Sequence, residues 1–226
     1  MSGNAPTAER RIGYRSFRPK DRKGLNVILY RTGFLGEDLT GRNLFNDRRL
    51  FALVNTEAYL RYQPSNAFVA VDEADGRVVG YIIGTADTVG QARIFKRRMY
   101  WRIALRAFLV SWWRYPESLR HVLSWSRDTA DPSAPFFSDY PAHLHINILP
   151  EYQRLGIGAR LIELFETRMR SQGVVGIHLG TSNRNVRALP FYKKQGYSVI
   201  LERSGSFYEG VEGHVLIVFA KRLSPS

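Results

Sequence analysis

Three groups of residues in this chain have types and spacings suited to chemistry. His143, His145 and Asn147 alternate with apolar residues along His143 to Leu149, so all three project from one face of a strand. An imidazole with a pKa near ~6.5 takes a proton at neutral pH, directly or through water, and Asp139 and Tyr140 just upstream are reserves for the same task. Two histidines on one strand also suit a metal or a purely structural role, but the spacing supplies no third ligand, so no metal site is expected. The second group is Gly156 and Gly158, where this strand hands over to a helix with an apolar stripe at Ile157, Leu161, Ile162, Leu164, Phe165 and Met169. The first turn of a helix has N–H groups without internal partners and a positive dipole end, which suits a pyrophosphate. Glycine lets such a group approach the main chain, and Arg154 and Arg160 add charge at the rim. The third group is Gln91 to Arg127, which holds nine Lys/Arg, one acid (Glu117) and all four tryptophans.

The glycine turn is neither the Walker pattern nor the dinucleotide fingerprint, since it lacks the Gly-Lys-Ser/Thr of one and the third glycine of the other. Gln153, Arg154, Leu155, Gly156, Ile157 and Gly158 instead resemble the acyl-coenzyme A loop Q/R-x-x-G-x-G/A of the GNAT superfamily of N-acetyltransferases. Downstream, NVRALPFYKKQGY resembles that superfamily's N-x-x-A-x-x-F-Y-x-x-x-G-F/Y, with Asn185, Ala188, Phe191, Tyr192, Gly196 and Tyr197 in place.

The resemblance implies acetyl-CoA as co-substrate, with main-chain groups of Ile148 and Leu149 on the pantetheine or thioester and the N–H groups from Arg154 to Ala159 on the pyrophosphate. A backbone N–H near Leu149 would stabilise the developing oxyanion. It further implies that Tyr192 protonates the leaving thiolate and that Asn185 bonds the pantetheine or diphosphate, although Asn185 also suits a helix N-cap. Glu37 and Asp38, in the loop that overhangs the acceptor site in this architecture, would attract a cationic amine or cap the next helix. Within the superfamily, YPAHLHINILPEYQRLGIG, TGFLGEDLTG and AFVAVDEADGRVVGYIIGT resemble the acetyltransferase-like C-terminal domain of O-GlcNAcases and its stand-alone bacterial relatives. Asn147 stands where that subgroup is expected to carry an acid.

Composition sets the outer bounds. The chain has 226 residues, enough for one α/β domain with a sizeable core, and no cysteine, which excludes a disulfide framework, a thiolate metal site and a cysteine nucleophile. Net charge is +13, which favours anionic partners: coenzyme A phosphates, nucleic acid or an acidic membrane. The polar N-terminus lacks a secretory pattern, and a cytoplasmic protein, possible as a homodimer, is expected.

The elements that must position these groups read as a mixed α/β (α+β) sheet of about seven strands flanked by helices. Residues 1–9 read as a disordered tail and 10–223 as one GNAT domain, with a basic aromatic helical insertion at 91–135 before the fourth strand. A strand is expected at 11–17, helices at 25–30 and 48–63, and a hairpin at 67–84 turning on Asp75-Gly76. Beyond the 143–170 unit come a strand at 176–180, a helix at 185–195 and a strand pair at 197–202 and 214–221 turning around Glu209-Gly210. In the insertion, Arg98, Arg102 and Arg106 share one helix face beside Phe95, Met99, Ile103, Ala107 and Val110, and Pro116 divides two helices. That segment suits a cover over the sheet, an anionic membrane or nucleic acid. Three function classes follow: an N-acetyltransferase acting on a primary amine by direct attack, an acetyl-CoA-binding module with little catalysis, or nucleic-acid or membrane-surface binding through the basic 91–127 segment.

Overall fold

Ile12–Ser16 (β1), Phe68–Asp72 (β2), Val78–Thr85 (β3), Ala142–Ile148 (β4), Gly176–Ser182 (β5), Ser198–Ser204 (β6) and Val215–Arg222 (β7) pair in one sheet, in the order β1-β2-β3-β4-β5-β7-β6. Only β4 and β5 run parallel. A computed structural model describes residues 10–42, 44–127, 135–204 and 213–224; the expected tail and the Glu209-Gly210 turn lie outside the described residues. The helices are Arg22–Arg31 (α1), Arg48–Asn55 (α2), Glu57–Tyr62 (α3), Thr88–Arg98 (α4), Tyr100–Arg106 (α5), Trp112–Arg114 (α6), Pro116–Arg127 (α7), Ile157–Arg170 (α8) and Ala188–Lys194 (α9). Among the described residues no helix is long and apolar enough to cross a membrane.

The centre of the core is α8 laid on β2, β3 and β4. Of its apolar stripe, Ile157, Leu161, Ile162, Phe165 and Met169 are buried and Leu164 is half-buried, and each fully buried side chain stabilises the fold by about 1.5–3 kcal/mol. Gly84 makes the approach possible: a Cβ there would lie 2.2 Å from the carbonyl oxygen of His143 and 2.5 Å from the ring of Phe165. A buried carboxylate fixes the far side of the helix. Glu166 accepts from Lys221 at 2.7 and 2.9 Å, from Arg170 at 3.0 Å and from the hydroxyl of Tyr197 at 3.1 Å, so α8 is tied to β7.

The helix expected over 48–63 is two. Thr56 donates its N–H to Ala52 at 3.0 Å, closing α2, and Glu57 opens α3 with a buried carboxylate held by Arg22, Arg49 and Arg61. Apolar periodicity runs across this break because both short helices face the same core, so periodicity alone does not register it. The helix expected from Asn185 starts at Ala188, whose N–H bonds the Asn185 carbonyl; Asn185 therefore lies in the preceding turn and is not the N-cap.

Between β3 and β4, helical hydrogen bonding continues from α4 through Met99 into α5, with Met99 N–H on Phe95 O at 2.8 Å and Ile103 N–H on Met99 O at 3.0 Å. A π-helical turn at Ala107–Ser111 leads into α6, and Pro116 starts α7 as expected. The face with Met99 and Ile103 packs on Leu53 and Ala58. The expected basic face is divided: Arg106 turns inward to Asp47, which is fully buried, caps α2 through the Leu50 N–H and also accepts from Ser111 Oγ at 2.7 Å. A buried carboxylate this far from other cations would not remain charged alone, so Arg106 is held by the cost of leaving Asp47 unpaired.

Candidate functional site

The parallel pairing of β4 with β5 holds only at Ala142–Ile177 and His143–His178; beyond it the strands part. Two clefts meet at that gap. One, of about 770 Å3, lies over the β4–α8 turn and is lined by Ile148, Gln153, Arg154, Gly156 to Ala159, Arg187, Phe191 and Lys194. The other, of about 340 Å3, lies between α1, α2, β4 and β5 and is lined by Asn55, Leu144, His145, Thr181, Ser182 and His214. Thr32, Gly36, Ile146, Asn147, Asn185 and Tyr192 line both.

The floor of the first cleft is main chain. Gly156 takes φ +77° as the residue before α8, and Arg160 N–H is the first to bond within the helix, to Gly156 O at 3.2 Å. The N–H groups of Gly156, Ile157, Gly158 and Ala159 thus have no intrahelical acceptor. Gly158 presses on Phe191, whose ring would lie 2.8 Å from an added Cβ. Arg154 also takes a positive φ, +66°, which folds the loop back at the cleft's edge. Arg154, Arg187 and Lys194 line the cleft and no carboxylate among the described residues does, so its dipoles and charges all favour an anion. Coenzyme A diphosphate fits this floor. Gln153 acts on the loop itself: its amide donates to Ile148 O at 3.2 Å and its oxygen accepts from Arg187 at 3.3 Å. Tyr152 anchors the loop to the β2–β3 hairpin, donating to Asp72 at 2.7 Å and accepting from Arg77 at 2.9 Å.

Two expectations for this cleft change, the Leu149 donor and the free Arg160. Leu149 donates its N–H to Val79 O at 2.9 Å and its carbonyl accepts from Tyr152 N–H at 2.9 Å, so it offers no oxyanion donor. Backbone groups alternate in direction along an antiparallel pair, which turns the N–H of Ile148 toward the open gap instead. Leu155 turns its side chain to solvent, which leaves its main chain in the role expected of it. Arg160 is paired with Glu163 at 2.7 Å instead of standing free at the rim. Arg187 and Lys194 were missed as cleft cations, although both lie within the second motif.

In the second cleft a chain of hydrogen bonds assigns tautomers. Thr88 Oγ1 donates its single hydrogen to Pro141 O at 2.7 Å, so at 2.9 Å it accepts from His143 Nδ1. Nε2 of His143 is then the acceptor for Tyr59 OH at 2.5 Å. Having given its hydrogen there, Tyr59 accepts from His145 Nε2 at 3.2 Å. That leaves the unprotonated lone pair of His145 on Nδ1, which bonds no described residue. His143 is committed at both nitrogens, and the imidazole with a nitrogen left over is that of His145. Desolvation at the cleft floor, then the charge of His178, pushes His145 down to about 4, while the open face of its ring keeps hydration that works against this shift. Burial, followed by the neighbouring His145 and His178, holds His143 well below its ordinary value. Both are neutral at pH 7.

Asn147 is locked. It accepts from Tyr81 OH at 3.0 Å and donates to Thr32 Oγ1 at 2.6 Å, and Thr32 in turn donates to Ile28 O at 2.8 Å. Tyr192 is buried with its ring on Phe219 and Tyr197, its hydroxyl bonds no described residue, and desolvation raises its pKa, so it is a neutral O–H facing both clefts. The side-chain amide of Asn185 is likewise without a described partner and rests against Gly36. Neither the expected substrate acids Glu37 and Asp38 nor the reserve base Asp139 reaches the clefts. Glu37 pairs with Arg42 at 2.6 Å, Asp38 with Arg31 at 3.5 Å, and Asp139 with Arg222 at 3.2 Å.

Residues 38–197 match the sequence model described as the acetyltransferase (GNAT) family. The chain belongs to the GNAT acetyltransferase family. Its fold agrees: SsHAT is 28% identical over 94% of this chain and 98% of that one, with a TM-score of 0.75. An agmatine N-acetyltransferase (18% identity, 94% and 99% covered, TM-score 0.57) and Ard1 from Thermoplasma volcanium (16%, 94% and 98%, TM-score 0.56) share the fold. GNAT enzymes take the acyl group from acetyl-CoA.

Proposed function

We propose that this GNAT protein transfers an acetyl group from acetyl-CoA to a primary amine by direct attack, with His145 as the base and Tyr192 as the acid. The observation that supports this most is the meeting of the two clefts at Asn147 and Tyr192, where β4 and β5 part. An acyl donor held on the α8 turn extends along the gap toward Ile148, whose free N–H suits an acyl oxygen. An amine in the second cleft approaches from the His145 side. His145 Nδ1 takes the amine proton as the new C–N bond forms, and the Tyr192 hydroxyl gives a proton to the thiolate as the C–S bond breaks.

No carboxylate among the described residues lines the second cleft; its polar groups include Asn55, Asn147, Thr181, Ser182, Asn185, Tyr192 and the two histidines His145 and His214. Such a surface hydrogen-bonds a hydroxylated or amide-bearing amine and gives a polycation no counter-charge, so we place the acceptor among small, polar, singly charged amines. Within the family we keep the chain with the acetyltransferase-like domains of O-GlcNAcases, on the three sequence runs quoted above. The test is thiol release from acetyl-CoA across a panel of amino sugars, polyamines and lysine peptides. Turnover with hydroxylated monoamines above polyamines is expected; acetyl-CoA binding without thiol release on any amine would leave a binding module in place of the enzyme.

A further inference from the structure

The helical segment from Thr88 to Arg114 is anchored on one side only. Met99, Gln91 and Ser111 are buried against the body, and Arg106 is held by Asp47. On the other side Trp101, Leu105, Phe108, Leu109 and Trp112 recur at i, i+4, i+7, i+8 and i+11, the spacing of one helix face. That face is open: Phe108 is 75% exposed, Trp112 61% and Trp101 53%, with Trp113 beside them. Apolar residues of this size on a rigidly docked helix have no packing reason to face water. A contiguous apolar patch of this kind marks an interaction surface.

The surrounding charge limits what can cover it. Residues 88–116 contain seven Lys/Arg and no acid. Arg93, Lys96, Arg97 and Arg98 are exposed at one end of the stripe and Arg114 at the other. A second copy would bring like charge against like charge. A nucleic acid would match the charge but has no apolar layer for Leu105, Phe108 and Leu109. An anionic phospholipid surface matches both features, since aliphatic and aromatic side chains enter the acyl boundary, tryptophan rings sit at the headgroup level and the basic side chains meet the headgroup phosphates. We infer that the face presented by Trp101, Leu105, Phe108, Leu109 and Trp112 docks the protein on an anionic lipid surface, with the helix axis parallel to the membrane plane.

Three of the four tryptophans, at 101, 112 and 113, lie in this segment and the fourth, Trp125, belongs to α7, so intrinsic fluorescence is weighted toward the stripe. The full-length protein is titrated with phosphatidylcholine vesicles, alone and mixed with phosphatidylglycerol, at low and high salt, with flotation alongside. Expected are a blue shift and flotation with the anionic vesicles only, both weakened by salt. A Phe108→Ser, Leu109→Ser double variant is expected to bind at least about tenfold more weakly, with an unchanged melting temperature and unchanged acetyl-CoA affinity. The proposal is overturned if the wild type ignores anionic vesicles at low salt, or if the variant binds them as well as the wild type. It is equally overturned if vesicles fail while a DNA or RNA oligonucleotide binds, or if the stripe is consumed in a dimer that the variant dissolves.

Discussion

The two clefts are built in different ways. The first cleft is made of main chain and consecutive residues: one loop, one helix start and the nearby α9, with cations at the rim. The second cleft is made of side chains from α1, α2, β3, β4, β5 and β7, and carries no carboxylate among the described residues. A main-chain anion site needs only a local conformation that glycine permits, so a short motif specifies it. A side-chain site exists only once distant segments are packed, and its chemistry depends on which partners each group finds there. The histidines show this. Adjacent on one strand face and identical in type, His143 is tied at both nitrogens while His145 keeps one free.

The largest test of this contrast is His145→Ala. It should lower kcat by about 10² to 10⁴ while leaving acetyl-CoA affinity unchanged by calorimetry; an unaltered kcat would remove His145 as the base. Gly158→Val is its mirror. A side chain there meets Phe191 and blocks the α8 turn, so affinity for acetyl-CoA should fall by about 100-fold with the far-ultraviolet circular dichroism retained, reflecting two or more lost bonds to charged oxygens. If affinity survives, the diphosphate does not sit on this turn. Tyr192→Phe should reduce kcat by about 10² with little change in KM, since the ring packing is kept and only the hydroxyl is lost.

Tyr59→Phe should have a smaller effect, about tenfold at most in kcat, because it frees the tautomer of His145 without removing the base. The pH profile sharpens the same point. With His145 held below its ordinary value, kcat/KM should show no acid limb near ~6.5, and Tyr59→Phe should move whatever limb exists. Stability follows the same sign. His143 and His178 have folded pKa values below their unfolded ones, so between those values the unfolded chain binds more protons. Stability is full above about pH 7 and falls as pH drops through ~6.5. Urea midpoints at pH 7 and pH 5 measure this, and His143→Gln should flatten the difference.

Much of this was legible beforehand. The element order, the Asp75-Gly76 hairpin, the strand-to-helix turn at 149–158 and the stop at Pro116 follow from local patterns. The break at Thr56 was not legible, because α2 and α3 share one buried stripe. Nor was the stripe from Trp101 to Trp112: the segment's periodicity supports two apolar faces, and only docking through Asp47 and Met99 shows which one is buried. Glu37, Asp38 and Asp139 look like free acids in sequence, yet each finds an arginine in the fold.

The sequence by itself determined the main-chain site: Gly156 and Gly158 leave the α8 turn open to an anion, and backbone conformation is a local property. Tertiary structure decided the rest. It set Tyr59 between two histidines 84 and 86 residues away, tied up the Leu149 N–H and left that of Ile148 facing the gap, and chose which helix face meets solvent. Hydrogen-bond partners and burial are properties of neighbours in space, and for these residues the deciding neighbours are distant in the chain.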